Sequence, residues 1–129
     1  MSPRSYQRRV LHIDGQWKTH DLVKELVDKA CPDCELVTAE SGSEALKLIT
    51  SDPYDLVIVD PWASEMNGFK ICRYLSANKP DIPVFFYAQQ ALMNDRKFAE
   101  AAGAAAFFLR DNNDELVEAM AAALGSDQL

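Results

Sequence analysis

The chain has 129 residues, 48% of them hydrophobic and 26% charged, with only 5 glycines and 6 prolines. That length and balance describe one folded domain with a buried core, and exclude a disordered or fibrous chain. A net charge of −7 argues against binding to nucleic acid or an anionic membrane, whose ligands are drawn by a basic face, and favours partners with basic patches.

In chain order, the apolar run Val10 to Ile13 reads as a first strand ending at Asp14. Leu22, Val23, Leu26, Val27 and Ala30 then recur with helical spacing, as on the buried stripe of a helix. A turn at Cys31-Pro32-Asp33-Cys34 leads to a strand over Glu35 to Thr38. Ser41 and Glu44 have the spacing of a capping box, which opens a helix through Ala45 to Ile49 that Pro53 closes. A third strand, Leu56 to Val59, ends at Asp60, and Phe69, Cys72 and Leu75 mark the next helix. Pro80 and Pro83 fall in the connection to a strand over Val84 to Tyr87. The small residues of Ala99 to Ala106 suit close helix-to-sheet packing before a fifth strand, Ala106 to Leu109. Leu116, Met120 and Leu124 make the stripe of a last helix, with Asp114 and Glu115 at its positive end.

Short strands apolar on consecutive residues, alternating with helices, imply a parallel sheet buried on both faces and joined by right-handed crossovers. The expected architecture is α/β, a flavodoxin-like doubly wound (βα)5 sheet of strand order 2-1-3-4-5, formed as a single domain over 1–129 with its core at about 9–124. No apolar run is long enough to cross a bilayer, the longest being Ala101 to Leu109. The basic N-terminus, Arg4, Arg8 and Arg9, meets His12 and Asp14 before any signal-like apolar stretch. Three cysteines without such a signal fit a reducing, cytoplasmic setting better than a disulfide scaffold.

In that strand order the first and third strands are neighbours at the switch point, where doubly wound sheets bind ligands. Asp14 and Asp60 end those two strands. A single strand-end aspartate is usually a cap or turn former; two side by side repel, and a bound cation relieves them. Mg²⁺, a hard ion that takes one or two carboxylates and keeps water and phosphate in its remaining positions, suits the pair. Asp60 is then a candidate nucleophile toward phosphorus.

These residues resemble the receiver domain of two-component response regulators over roughly Arg9 to Leu124. The likeness runs through Val10-Leu11-His12-Ile13-Asp14, the segment Ala39 to Leu46, and Asp55-Leu56-Val57-Ile58-Val59-Asp60 followed by Met66-Asn67-Gly68-Phe69. It continues through Pro83-Val84-Phe85-Phe86 and from Gly103-Ala104 to Phe107-Phe108-Leu109. The resemblance implies that Asp60 is the phosphoacceptor, that Asp14, Asp60 and the backbone carbonyl of Trp62 hold Mg²⁺, and that Phe107 is the aromatic switch of the fifth strand. It implies a histidine kinase or phosphotransfer protein as donor and a downstream effector protein as recipient. The chain offers no room for a DNA-binding effector, so output is expected through the face of the fourth helix, fifth strand and fifth helix, which is also a candidate homodimer surface.

The departures are specific. Gly15 stands where most members carry a second metal-binding acid, which predicts weaker Mg²⁺ affinity. Ala88 stands at the Thr/Ser switch position, and Arg110 replaces the usual Lys as the cation that neutralises the transferring group. Asp111 replaces the following proline, and Ala63 and Ser64 replace a common Met-Pro. Two readings stay open: a non-enzymatic receiver that accepts a phosphoryl group on Asp60, and a pseudo-receiver that acts as a phosphorylation-independent interaction module, with Arg110 paired permanently to Asp60.

The remaining signals are weaker. Cys31 and Cys34 have redox-motif spacing but follow a helix instead of opening one, which reverses the dipole's effect on a thiol; two small residues beside a turn is the simpler reading. His12, a lone imidazole within an apolar strand, is expected as a satisfied core histidine, and His12, His20 and Cys72 show no ligand spacing that would complete a zinc site with the cysteine pair. Phe85, Phe86, Tyr87, Phe107 and Phe108 read as core, with one of the last two facing outward, and Trp17 and Trp62 as loop residues at the rim of the site.

Overall fold

The computed structural model describes residues 7–62 and 67–125. Five strands alternate with five helices: β1 (Arg9–Ile13), α1 (Trp17–Ala30), β2 (Glu35–Ala39), α2 (Gly42–Ser51), β3 (Leu56–Val59), α3 (Gly68–Asn78), β4 (Val84–Ala88), α4 (Asp95–Ala102), β5 (Ala106–Leu109) and α5 (Asn113–Ala123). All pairings are parallel and the order is β2-β1-β3-β4-β5, as the alternation predicts.

Side chains of a strand point to opposite faces in turn, and each face here has its own core. Leu11, Ile13, Val57, Val59 and Phe86 pack with Ala45 and Ile49 of α2, Phe69, Cys72 and Leu75 of α3, and Ala99 and Ala102 of α4. Val10, Leu56, Ile58, Phe85 and Tyr87 pack with Val23, Leu26 and Val27 of α1 and Leu116 and Met120 of α5. That double cover explains why β3 and β4 are buried at every position. It also refines the expectation for β5: Phe107 and Phe108 point to opposite faces, each partly buried against a different one of the two cores, so neither is fully outward.

Local chemistry fixes the boundaries. The Ser41 hydroxyl accepts the Glu44 N–H at 3.1 Å, and the Glu44 carboxylate accepts the Glu40 N–H at 2.8 Å, one residue before the cap. Asn67 caps α3 by accepting the Lys70 N–H at 3.0 Å. Gly68 is required by proximity: a Cβ there would lie 2.9 Å from Pro61 Cα and 3.0 Å from the Asp60 carbonyl oxygen, and its N–H donates to the Pro61 carbonyl at 2.8 Å. The glycine therefore lets α3 begin directly against the backbone that follows β3. Ala63, Ser64 and Met66 of the loop motif lie outside the described residues.

Three expectations are corrected. Trp17 is the first residue of α1, though exposed. Cys31 and Cys34 form a disulfide: the chain turns sharply after α1, with the Cys34 N–H on the Cys31 carbonyl at 3.0 Å, and the Cα atoms come within 5.4 Å, inside bridging range. His12 is buried in β1 as expected, yet it is only half satisfied. Its Nδ1 lies 2.7 Å from Nδ1 of His20 on α1, while Nε2 of both rings has no partner. One ring must donate and the other accept, so the two Nδ1 atoms cannot both carry a proton. Burial, with His20 and Arg110 nearby, lowers the His12 pKa to about 3.

Candidate functional site

Parallel register brings the acidic residues together. Ile13 pairs with Val59, so the next residues along, Asp14 and Asp60, leave adjacent strands side by side at the carboxyl end of the sheet. Ala88 of β4 pairs with Leu109 of β5, and Arg110 follows on the same rim. The side chains of Asp14, Asp60 and Arg110 are 1%, 15% and 19% exposed.

Each carboxylate divides its work between two oxygens. Asp14 Oδ1 accepts the Gln16 N–H at 2.9 Å and Asp60 Oδ1 accepts the Trp62 N–H at 2.8 Å. The other oxygens converge on one atom: Arg110 Nη2 donates to Asp14 Oδ2 at 3.1 Å and to Asp60 Oδ2 at 2.9 Å. The guanidinium lies over the ring of Tyr87, 5.4 Å from its centroid, and the Tyr87 hydroxyl donates to Asn113 Oδ1 at 2.6 Å. Arg110 Nε is buried without a partner.

Burial is the largest influence on Asp60 and pushes its carboxyl pKa up. The Trp62 N–H opposes this, the charge of Asp14 adds to it, and Arg110 opposes it, leaving the group above its ordinary value. A carboxylate so placed is poorly solvated, which favours attack on an electrophile once its counter-charge is arranged.

The donor set suits a hard divalent ion. The observation that supports this is the convergence of Asp14 Oδ2 and Asp60 Oδ2 on a single nitrogen, which identifies a point where a cation contacts both acids. Among the described residues no three of His, Cys, Asp and Glu cluster as a metal site, in keeping with Gly15 in place of a further acid. His12 and His20 adjoin each other, but Cys72 lies in the core on the other sheet face, so the three make no joint site.

Of the remaining expected positions, Trp62 and Ala88 line the same cleft, whereas Phe107 borders a separate hollow against α4. Trp62 lies half exposed in the turn after β3, with its ring 5.2 Å from that of Phe69 and its indole N–H donating to Asp95 Oδ2 at 3.4 Å. Ala88 is buried at the end of β4 and, with Gln16, Trp62, Gln89 and Gln90, borders an open cleft of about 340 Å³ at Asp60 and Arg110. Phe107 is partly buried in β5, and the Arg96 guanidinium of α4 lies 4.9 Å from its ring centroid. Gln16, Tyr87, Gln89, Gln90 and Asp95 also belong to this surround, and their place in it depends on the fold. Only Gln89-Gln90, following a strand end on the ligand side, offers a signal in the sequence.

Residues 10–121 match the family described as "Response regulator receiver domain", and the chain belongs to that family. Receiver domains typically serve as signalling modules rather than classical enzymes. Among curated relatives, the chain is 26% identical over 95 residues to the heme response regulator HssR of Staphylococcus haemolyticus, covering 74% of this chain and 41% of that protein. It is 31% identical over 90 residues to the transcriptional regulatory protein GlrR of Escherichia coli, covering 69% of this chain and 20% of that protein. The chain thus spans less than half the length of these relatives.

Among solved structures it resembles the response regulator TrrA of Thermotoga maritima in complex with Mg(2+)-BeF, with TM-score 0.80, 28% identity, and coverage of 92% of this chain and 100% of that one. It shares its fold with a CheY-like receiver domain from Methanospirillum hungatei, with TM-score 0.81, 21% identity, and coverage of 92% and 94%. Among the described residues no helix is long and apolar enough to cross a membrane.

Proposed function

We propose that this domain accepts a phosphoryl group on Asp60 from a histidine kinase or phosphotransfer protein in the cytoplasm and passes the signal to a downstream effector by protein contact. The observation that carries the reading is the placement of Asp60, a partly buried carboxylate at the end of β3 beside Asp14. In the step, an Asp60 carboxylate oxygen attacks phosphorus of the donor's phosphohistidine. The P–N bond breaks as the P–O bond forms, and the leaving imidazole nitrogen keeps the electron pair. Asp14, Asp60 and the Trp62 carbonyl would hold Mg²⁺, which draws charge from the phosphoryl oxygens when bound. Arg110, charged at any working pH and 2.9 Å from Asp60 in the ion-free domain, would turn to the phosphoryl oxygens once an ion holds the two acids and neutralise their developing negative charge. With Ala88 in place of a hydroxyl, oxygens of the transferred group are left to the amides of Gln89 and Gln90 and to water. Phe107 serves as the aromatic switch, and the fold over about residues 9–124 works as one signalling unit, free of nucleic acid or membrane as direct ligands.

A second reading has its own support: Arg110 already spans both acids, the arrangement expected of a domain that signals by binding alone. One experiment separates the two. The protein is incubated with a small phosphodonor and Mg²⁺ and followed by intact-mass spectrometry. Addition of one phosphoryl group, lost in Asp60→Asn, supports phosphoacceptance. No adduct under conditions that label a control receiver refutes it and leaves the interaction module.

A further inference from the structure

We propose that Arg110 is an exchangeable internal occupant of the cation point: its guanidinium holds Asp14 and Asp60 together in the metal-free domain and must leave their oxygens for a divalent ion to bind, so Arg110 sets the metal affinity. The identity of the ion rests on the reading of the cleft given above; the competition itself rests on geometry.

Two features of the site carry it. The first is occupancy. The Oδ1 atoms of Asp14 and Asp60 are held by backbone N–H groups, and both Oδ2 atoms contact the same Arg110 nitrogen, at 3.1 and 2.9 Å. A divalent ion drawing on both Oδ2 atoms would occupy that nitrogen's place. Charge reinforces the exclusion. Two buried carboxylates with Arg110 carry one net negative charge, and adding a divalent ion on top would leave a net positive one. Exchange of ion for guanidinium leaves none. Because Gly15 supplies no further acid, no spare negative charge lets both cations stay.

The second is that the clamp is incomplete and therefore able to exchange. A guanidinium binds carboxylates best through two nitrogens in a planar fork. Here one nitrogen serves both acids and Nε is buried without a partner. The open cleft beside it is bordered by Gln16, Gln89 and Gln90, whose amide oxygens can accept the displaced group.

The test is calorimetric titration of MgCl₂ into the metal-stripped protein and into Arg110→Ala and Arg110→Gln, with circular dichroism checking the fold of each. The expected result is tighter Mg²⁺ binding in both variants, by about tenfold or more, abolished again when Asp14→Asn is added. Equal or weaker affinity in the variants, or no binding in any of the proteins, overturns the proposal. Should Arg110→Ala fail to fold, Arg110→Gln alone carries the comparison. The two readings fail separately: variants that gain affinity while the parent takes up no phosphoryl group leave the competition standing and remove phosphoacceptance. A parent that is phosphorylated while its variants bind Mg²⁺ no tighter does the reverse.

Discussion

Arg9 and Arg110 sit at opposite ends of the sheet and are built from similar parts. Arg9, at the amino end, pairs with Glu35 at 3.2 Å and Asp52 at 3.9 Å and lies 4.9 Å from the ring centroid of Tyr54. Arg110, at the carboxyl end, pairs with Asp14 and Asp60 over the ring of Tyr87. The acids differ in solvation: Glu35 and Asp52 are 48% and 43% exposed, while those at Arg110 are nearly out of water. Water can replace Arg9 at small cost. At Arg110 the buried acids have that guanidinium as their counter-charge, and on the proposed reading their dependence on a cation distinguishes the carboxyl end from the amino end.

Removing each arginine in turn breaks the comparison most sharply. In chelator, Arg110→Ala should lower unfolding free energy by about 3 kcal/mol, since two buried carboxylates lose their partner. Mg²⁺ should restore part of it. Arg9→Ala should cost about 1 kcal/mol or less and be indifferent to Mg²⁺. Denaturant unfolding of both variants, with and without the ion, measures the difference; equal losses would remove the distinction between the two ends.

The next effect is a dependence on pH. His12 is neutral in the folded domain with a pKa lowered to about 3, whereas the unfolded chain takes up a proton below its ordinary value of about 6.5. Stability therefore falls as pH drops through the window between those values, by about 2 to 3 kcal/mol near pH 4.5. His12→Leu should lose this part of the slope between neutral pH and about pH 4.5. An unchanged slope would place the acid sensitivity elsewhere.

Gly68→Ala probes the carboxyl end without altering charge. The added methyl meets the Pro61 and Asp60 backbone and should cost about 2 kcal/mol, as overpacking does. An unfolding midpoint equal to that of the parent would show that α3 can move back from the loop.

The strand ladder was readable because double burial gives apolar runs such as Leu56 to Val59 and Val84 to Tyr87, and the acids Asp14 and Asp60 followed from strand order. What sequence could not supply were relations across the fold. His20 seems unrelated to His12 until α1 packs on β1, Tyr87 reads as core until Arg110 lies over it, and the reach of Arg110 to both acids depends on how far β5 extends. The Cys31–Cys34 bond is a property of the tight turn after α1, which cysteine count and spacing do not reveal.

The smallest effect concerns that bond. The denatured, unreduced chain should take up one alkylating group, at Cys72, the free cysteine, and after reduction all three cysteines should react. Labelling of three without reductant would show the pair to be open.

The most direct measurement is a crystal structure of the protein at saturating Mg²⁺. The account predicts density for an ion touching both Asp14 and Asp60, with the Arg110 guanidinium withdrawn from their Oδ2 atoms. An ion bound while Arg110 still spans the two carboxylates, or Arg110 in place with no ion between them, would contradict it.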